Sequence, residues 1–181
     1  MSGPDAVSGA ARAALGPADV VEARLPDELL AIAALNNNAV PEVNALEPQE
    51  LADLIAKGRL RVVRGRPVAG LVLTLPSGIT YASLNYRWFS NRFDRFLYVD
   101  RVVVDAAARG LGVGRLLYGE TIAYAKAAGY PRVCSEVNLD PPNPGSIAFH
   151  DKLGFRRIHE RVNEEHGKTV AMMEHAFSRA A

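Results

Sequence analysis

The chain has a single cysteine, Cys134, almost no net charge, and no long hydrophobic run. One cysteine excludes an internal disulfide and fits a reducing compartment. A formal net charge of +1 gives no general attraction to nucleic acid. A membrane-spanning helix needs about 20 consecutive apolar residues, and no segment of this chain provides them. We therefore expect a cytoplasmic protein that binds neither nucleic acid nor membrane.

The length and the hydrophobic content indicate one globular domain. The chain has 181 residues, of which 49% are hydrophobic, enough to build a core. Residues 1–17 are small and weakly patterned, which predicts a disordered leader. Residues 18–181 carry the patterned segments and contain no internal repeat, so we expect a single domain there.

Hydrophobic periodicity predicts an α+β domain with one βαβ unit at its centre. Residues 81–95 are rich in aromatic residues and arginine but lack clear periodicity, and we expect a long irregular connection there. Asp27 is the expected N-cap of the first helix. The predicted strands are residues 20–25, 59–63, 68–75, 96–104, 132–139, 155–162 and 169–177, and the predicted helices are residues 27–35, 48–57, 116–128 and 146–153.

A glycine-rich turn, residues 109–114, follows the fourth predicted strand and leads into a helix. Glycine lets a backbone turn tightly and approach a ligand closely. The unpaired amides of a helix's first turn attract phosphate oxygens, and Arg109 and Arg115 add positive charge. The pattern predicts a phosphate or pyrophosphate site, although the same glycines would also make a plain tight turn. The turn fits neither a Rossmann dinucleotide site nor a P-loop.

Two motifs in this half of the chain resemble the signatures of the GCN5-related N-acetyltransferase (GNAT) superfamily. The first is Arg-x-x-Gly-x-Gly at residues 109–114, shortly after Val-x-Val at residues 102–104. The second is Asn-Pro-Gly-Ser-Ile-Ala-Phe-His-Asp-Lys-Leu-Gly-Phe at residues 143–155. Both motifs have the order and separation that the family shows, and the resemblance covers residues 19–177.

The resemblance implies a mixed, mostly antiparallel sheet of about seven strands flanked by helices, in which a splayed pair of parallel strands binds acyl-CoA. It implies acetyl-CoA as a co-substrate, no metal, and transfer of the acetyl group to a small-molecule or peptide amine of unknown identity. The alternative is a catalytically weak acyl-CoA-binding sensor or interaction domain of the same fold. A homodimer is left open.

The resemblance also implies which residues bind the cofactor. The backbone of Val102, Val103 and Val104 would hold pantetheine much as an added strand would. Asn143 would contact the pantetheine arm from the opposite side, and Ser146, where the family usually has alanine, could add one hydrogen bond. The amides of the glycine turn would hold the pyrophosphate; they belong to Arg109, Gly110, Leu111, Gly112, Val113, Gly114 and Arg115.

Three residues are candidates for proton transfer. In the family's mechanism a neutral amine attacks the thioester directly, and a backbone N–H near Val102 stabilises the oxyanion. Asp100 is the first candidate base because strand alternation puts it on the same face as Val102, and Glu136 on the neighbouring strand is the second. His150 stands where the family usually has a tyrosine acid; a histidinium would donate a proton well, but the ring could equally only pack beside CoA. Arg101 alternates to the other face and is expected to be structural.

The candidate acceptor-binding residues come from two segments. Tyr86, Arg87 and Trp88 precede the catalytic strand and could wall an acceptor pocket or bind an acidic group on the acceptor. Asn37 follows the first helix, where the family often places acceptor contacts. The alternatives are a loop packed on the sheet or a dimer contact for the first three residues, and a plain C-cap turn for Asn37.

Overall fold

The computed structural model describes residues 15–65, 68–163 and 167–177. Within these residues it has seven strands and five α-helices. No helix in this part of the chain is long and apolar enough to cross a membrane. In chain order the elements are β1 (Val20–Glu22), α1 (Leu29–Asn37), α2 (Pro48–Ile55), β2 (Arg59–Arg64), β3 (Val68–Pro76), α3 (Leu84–Arg92), β4 (Leu97–Val104), α4 (Val113–Ala127), β5 (Arg132–Asp140), α5 (Pro144–Lys152), β6 (Arg156–Asn163) and β7 (Lys168–Ala176).

The seven strands form one mixed sheet in the order β1-β2-β3-β4-β5-β7-β6. All neighbours pair antiparallel except β4 and β5, which are parallel. α4 connects this parallel pair, as a parallel crossover requires. The last hairpin folds back so that β7 lies between β5 and β6. The predicted α+β class and the mostly antiparallel sheet are confirmed.

β4 and β5 are paired over only a short part of their length. The parallel register covers Leu97↔Val133 and Tyr98↔Cys134. Beyond it β4 continues against β3, whereas β5 continues against β7. The two strands therefore separate beyond Tyr98, and the predicted splayed parallel pair is confirmed.

Helices cover both faces of the sheet, and each face has its own apolar core. On one face α1, α2 and α3 pack through residues such as Ile32, Leu51 and Phe89. On the other face α4 and α5 pack over residues such as Leu117 and Val133. We call these the α1–α3 face and the α4–α5 face. A ligand in the gap between β4 and β5 can therefore be reached from both faces.

α3 occupies the middle of residues 81–95, so the prediction of an irregular connection there is wrong. Ser83 caps the helix, because its Oγ accepts a hydrogen bond from the Tyr86 amide at 3.3 Å. Tyr86 and Phe89 lie three residues apart on one side of the helix and are both buried. The helix has only nine residues, and Tyr86 and Phe89 are its only buried aromatic residues. Two positions are too few to show a helical period in the sequence.

Several helices begin at residues other than the sequence pattern predicts. α1 begins at Leu29 with Glu28 in the N-cap position, so Asp27 does not cap it. α4 begins at Val113, inside the glycine motif. α5 begins at Pro144 rather than at residue 146, and proline suits a first helical position because the amide it lacks would be unpaired there.

The predicted leader, residues 1–17, lies mostly outside the described residues. Its last part is packed: Leu15 contacts the core of the α4–α5 face, and Pro17 begins a short 3₁₀ turn, Pro17–Asp19. The predicted domain start at residue 18 therefore falls inside packed chain.

Candidate active site

The gap between β4 and β5 opens into a cavity of about 420 Å³. Its walls come from β4 and β5 themselves, at residues 98–102 and 135–138. The α4–α5 face contributes four side chains: Tyr118, Asn143, Ser146 and His150. The α1–α3 face contributes residues 42–44 and 81–85, and β7 adds Lys168 and Val170. We call this cavity the cleft; it brings together residues from both faces of the sheet.

The glycine turn has the conformation of an anion-binding loop. Gly110 and Gly112 have φ angles of 76° and 82°, in the left-handed region that residues with a Cβ rarely adopt. Gly112 is the N-cap of α4 and no side chain caps that helix end, so the first amides of α4 are open to a ligand. Arg109 and Arg115 flank the turn and are exposed. The turn therefore presents backbone amides and positive charge, together with the Leu111 side chain, which is 46% exposed.

The second half of β4, residues 102–104, offers an open backbone edge to a ligand. Val102, Val103 and Val104 pair with β3 on one side. On the other side, within the described residues, β5 has already turned away. The Val103 side chain is buried in the core of the α1–α3 face, and Val102 lines the cleft. An extended arm could therefore pair with this edge as a further strand would.

The start of α5 forms the opposite wall of the cleft. Asn143 is the N-cap of α5, and its Oδ1 accepts a hydrogen bond from the Ser146 amide at 3.0 Å. Both residues line the cleft. Gly114 packs this wall against α4, because a Cβ there would lie 3.2 Å from the Phe149 ring.

Asp100 does not lie on the same strand face as Val102, and that expectation is wrong. A β-bulge in β4, with Val99 opposite Thr74 and Arg101 opposite Leu73, interrupts the alternation. Asp100 and Arg101 therefore both point to the α1–α3 face, whereas Val102 packs on the α4–α5 face.

The Asp100 carboxylate is held by two donors. Its Oδ1 accepts from the Tyr81 hydroxyl at 2.6 Å, and its Oδ2 accepts from Arg101 Nε at 2.7 Å. Arg101 also donates to Asn36 Oδ1 on α1 at 2.8 Å. The Asp100 and Arg101 side chains are 4% and 7% exposed, so they form a buried ion pair that ties the bulge to α1.

Glu136 lies on β5 across the cleft from the bulge. Its two carboxylate oxygens lie 2.8 and 2.7 Å from the Tyr98 hydroxyl. Burial raises the pKa of Glu136 to about 7, against the lowering effect of the Tyr98 hydrogen bond. A carboxyl group that lines the cleft and titrates near neutral pH suits a general base better than the ion-paired Asp100 does.

Both ring nitrogens of His150 are engaged in hydrogen bonds. Its Nδ1 lies 2.8 Å from the Ser146 carbonyl oxygen, which can only accept, so Nδ1 carries the proton. Its Nε2 lies 2.7 Å from the Tyr118 hydroxyl oxygen, and in the neutral ring Nε2 accepts from that hydroxyl. Burial lowers the pKa of His150, which disfavours the histidinium acid that the sequence suggested. The sequence pattern did not indicate Tyr118 as a site residue, because it lies on the apolar side of α4.

The four predicted acceptor-binding residues lie outside the cleft lining. Asn37 is bonded to the Leu46 backbone, with both its Nδ2 and its Oδ1 at 3.0 Å. The Tyr86 hydroxyl donates to the Pro76 carbonyl at 2.7 Å and its ring is buried.

The other two acceptor candidates lie on α3, where Trp88 is half-buried and packs against the core of the α1–α3 face. Trp88 stacks on His159, with ring centroids 5.1 Å apart, and Arg87 is exposed. Aromatic and arginine content alone could not indicate which side of α3 faces the cleft. Among the described residues no group of three or more histidine, cysteine or acidic side chains is arranged to hold a metal ion.

Comparison with known families decides the classification. The model of the acetyltransferase (GNAT) family matches residues 63–155, just over half of the chain. The chain belongs to this family. The matched range contains β4, the glycine turn, α4, β5 and α5, which are the elements around the cleft. The GNAT resemblance of the sequence is thereby confirmed, and with it the class of acetyl-CoA-dependent acyltransferase.

Solved structures show the same fold at low sequence identity. An N-acetyltransferase from Staphylococcus aureus is 21% identical, with 87% of this chain and 96% of that chain covered and a TM-score of 0.65. A ribosomal-protein-alanine N-acetyltransferase from Brucella melitensis is 20% identical, with 87% and 99% covered and a TM-score of 0.67. A putative acetyltransferase from Salmonella typhimurium, solved with its cofactor acetyl-CoA, is 18% identical, with 90% and 95% covered and a TM-score of 0.65. The curated proteins contain no match to this chain.

Proposed function

We propose that this GNAT protein transfers an acetyl group from acetyl-CoA to a primary amine on a small molecule or a peptide, with Glu136 as the base. The observation that carries the proposal is the cleft, which has Glu136 on one side and an open strand edge leading to a glycine turn on the other. An amine approaching from the α1–α3 face and a thioester from the α4–α5 face would meet at the gap between β4 and β5.

The donor half of the proposal rests on the fit of acetyl-CoA to the residues present. The left-handed Gly110 and Gly112 and the open amides of α4 suit the pyrophosphate. The free edge of residues 102–104 suits the amide groups of pantetheine. Asn143 and Ser146 close the opposite side. No metal is required by this chemistry.

The proton of the acceptor amine is transferred to Glu136, directly or through one water. A lysine-like amine has a reference pKa of about 10.4, so the acceptor first loses one proton to solvent, and only its neutral form attacks. The nitrogen becomes much more acidic as the C–N bond forms, and a carboxylate with a pKa of about 7 then accepts its proton. The new C–N bond forms at the thioester carbon, and a backbone N–H near Val102 stabilises the oxyanion. Collapse of the intermediate breaks the C–S bond and releases CoA thiolate and the amide.

In this proposal the Tyr118 hydroxyl, whose one O–H bonds His150 Nε2 in the free protein, turns that O–H to the leaving thiolate. A thiol has a reference pKa of about 8.5, so it leaves tolerably without full protonation. His150 has given its one N–H to Ser146, and its role is to hold the Tyr118 hydroxyl at the cleft. His150 then takes part in catalysis by positioning Tyr118 and not as a histidinium acid.

The same state of His150 favours one alternative, an acyl-CoA-binding sensor without turnover. One experiment separates the two functions: acetyl-CoA binding by calorimetry, with thiol release measured across amines, polyamines, amino acids and peptides. Binding together with release on at least one acceptor supports the transferase. Binding without release on any acceptor supports the sensor, and absence of binding overturns both.

A further inference from the structure

The hydroxyl of Ser135 is a buried hydrogen-bond donor without a partner. Ser135 lies on β5, lines the cleft and is only 2% exposed. Its Oγ has no hydrogen-bond partner among the residues that the structure describes. Nearly all buried polar groups in proteins are hydrogen-bonded, so one that is not requires an explanation. Because Ser135 lines the cleft, a ligand bound there can supply the missing partner.

Ser135 lies at the point where β4 and β5 separate. The last paired residues of the two strands are Tyr98 and Cys134, so Ser135 is the first residue of β5 beyond that pairing. On its other side Ser135 stays paired with Met173 of β7. In the proposed function the acceptor amine and the thioester meet at this gap. Ser135 therefore borders the place where the reacting atoms would lie.

The Ser135 side chain points to the α4–α5 face. Val133 and Val137, two residues before and after it, both pack in the core of that face, and strand alternation directs Ser135 the same way. The next residue, Glu136, bonds the hydroxyl of Tyr98, which packs in the core of the α1–α3 face. β5 therefore directs a hydroxyl to the thioester side of the gap and a carboxyl group to the amine side.

Ser135 can donate to a ligand without giving up another hydrogen bond, whereas Tyr118 cannot. The one O–H of Tyr118 bonds His150 Nε2 in the free protein and has to leave it to reach a ligand. Burial raises the pKa of Tyr118, and the nearby Ser135 side chain lowers it, although no hydrogen bond joins the two hydroxyls. A ligand atom that reaches both hydroxyls could accept from both.

We propose that Ser135 is a catalytic residue that donates its O–H to the sulfur of acetyl-CoA. The proposal rests on the proposed function, because acetyl-CoA must occupy the cleft for this contact to form. When the tetrahedral intermediate collapses, the C–S bond breaks and its electron pair stays on sulfur. The Ser135 proton stays on Oγ, and the thiolate takes a proton from solvent after release. A hydrogen bond to an ionised acceptor is stronger than one to a neutral acceptor, so the contact favours the transition state over the bound thioester.

The binding test compares CoA with desulfo-CoA, in which hydrogen replaces the thiol group. Calorimetry at one pH measures both ligands on the wild-type protein, Ser135→Ala and Ser135→Thr. We expect Ser135→Ala to lower the affinity for CoA by about fivefold, the effect of one lost hydrogen bond, and to leave the affinity for desulfo-CoA unchanged. Ser135→Thr keeps the hydroxyl and should recover most of the CoA affinity. An unchanged preference for CoA over desulfo-CoA in Ser135→Ala overturns the proposal.

Turnover and stability separate a catalytic hydroxyl from a structural one. Ser135→Ala should lower kcat by about tenfold and leave the KM for acetyl-CoA close to the wild-type value. Thermal melts of the free protein should show no loss of stability, because within the described residues this hydroxyl has no hydrogen bond to lose. A clear loss of stability in Ser135→Ala would show that the hydroxyl is structural and would overturn the proposal.

Thr121→Val is the matched control for removal of a buried hydroxyl. Thr121 Oγ1 on α4 is likewise buried without a partner in the described part of the chain, but Thr121 lies outside the cleft lining. Its removal should leave CoA affinity, kcat and thermal stability at wild-type values. An equal fall in kcat in Thr121→Val and Ser135→Ala would count against a specific contact between Ser135 and sulfur.

The sulfur contact and the transferase activity fail in different ways. A wild-type protein that binds CoA but acetylates no amine overturns the transferase. In that case a preference for CoA over desulfo-CoA that depends on Ser135 still supports the contact with sulfur. Absence of CoA binding by the wild-type protein overturns both.

Discussion

Two carboxylates line the same cleft but sit in opposite surroundings. Asp100 accepts from Tyr81 and from the Arg101 guanidinium, so both of its oxygens are already engaged. Glu136 contacts the neutral Tyr98 hydroxyl, and burial raises its pKa to about 7. Because environment decides which of two carboxyl groups takes up a proton at neutral pH, we propose Glu136 and not Asp100 as the base.

Glu136→Gln keeps the side-chain size and removes the base. We expect kcat to fall by about 10²- to 10⁴-fold, with acetyl-CoA affinity unchanged. In the wild-type protein kcat/KM should rise with pH through about 7, because only the carboxylate accepts a proton. The variant should lack this inflection, as steady-state rates between pH 5 and pH 9 would show.

Glu160→Gln, an exposed change on β6, is the matched control and should keep the wild-type profile. Stability gives a second check on Glu136. Its pKa in the folded protein lies above the value of about 4.3 for free glutamate, so folding is penalised progressively as pH rises through about 7. Glu136→Gln should therefore gain stability relative to wild type on going from pH 5 to pH 8. A constant difference would contradict the raised pKa.

Tyr118→Phe removes the hydroxyl that lies 2.7 Å from His150 Nε2. If that hydroxyl supports the leaving thiolate, kcat should fall by about tenfold, the effect of losing about 1.4 kcal/mol in the transition state. Tyr124→Phe on the same helix is the control, because Tyr124 packs under Arg59 away from the cleft.

His150→Phe should lower kcat by a similar factor. A wild-type rate that falls as pH rises through the lowered pKa of His150, and no longer falls in His150→Phe, would instead support a histidinium acid.

At the scale of the element, the glycine turn and α4 act as one unit. Gly112 is at once the N-cap of α4 and a left-handed residue with φ 82°. A Cβ added there meets nothing within 4 Å, so the conformation, and not crowding within the protein, requires glycine. The open space beside Gly112 is where a bound pyrophosphate would lie.

Gly112→Val should lower stability by about 1–2 kcal/mol, the cost of a left-handed conformation for a residue with a side chain, and abolish acetyl-CoA binding. Gly112→Asn separates the two effects, because asparagine tolerates this conformation but still fills the space. We expect Asn to recover most of the stability and little of the binding in thermal melts and calorimetry. Gly119→Val, at an open position on α4, should leave binding intact, and tight binding by Gly112→Val would contradict the pyrophosphate site.

Sequence patterns predicted the strands and the glycine turn better than they predicted α3 and the bulge in β4. All seven strands have their own hydrophobic pattern, and the glycine motif depends on local backbone chemistry that sequence expresses directly. α3 was missed because only Tyr86 and Phe89 mark its buried side. The bulge at Asp100 depends on pairing with β3, and a one-residue slip reverses the faces of all side chains around it.

At the scale of the whole molecule, the cleft exists because two strands joined by α4 pair for only two residue pairs. The cleft walls on the α1–α3 face and on the α4–α5 face belong to different cores. The opening between them depends on contacts between residues that are far apart in sequence. Tyr118 and Glu136 illustrate this: each looks like an ordinary residue in its own helix or strand. They line a common cavity only because β5 leaves β4 to follow β7.

The buried Asp100–Arg101 pair ties this cleft to α1 through Asn36. Removing one partner leaves a buried charge uncompensated. Arg101→Met should therefore destabilise the protein by about 3–5 kcal/mol in denaturant unfolding. The double variant Arg101→Met/Asp100→Asn should recover part of the loss, since the uncompensated carboxylate is gone, and a fully additive double-mutant cycle would contradict the pairing.

The same pair distinguishes a structural Asp100 from a catalytic one. Asp100→Asn removes the charge and keeps one acceptor, which can serve Arg101 while the new NH2 group donates to the Tyr81 hydroxyl oxygen. With the protein held folded at low temperature, we expect kcat to stay within about threefold of wild type, whereas a lost general base costs about 10²-fold or more. The comparison with Glu136→Gln under the same conditions is decisive, because both changes remove one carboxylate from the same cleft. If Asp100→Asn abolished turnover and Glu136→Gln did not, the base would be Asp100 despite its ion pair.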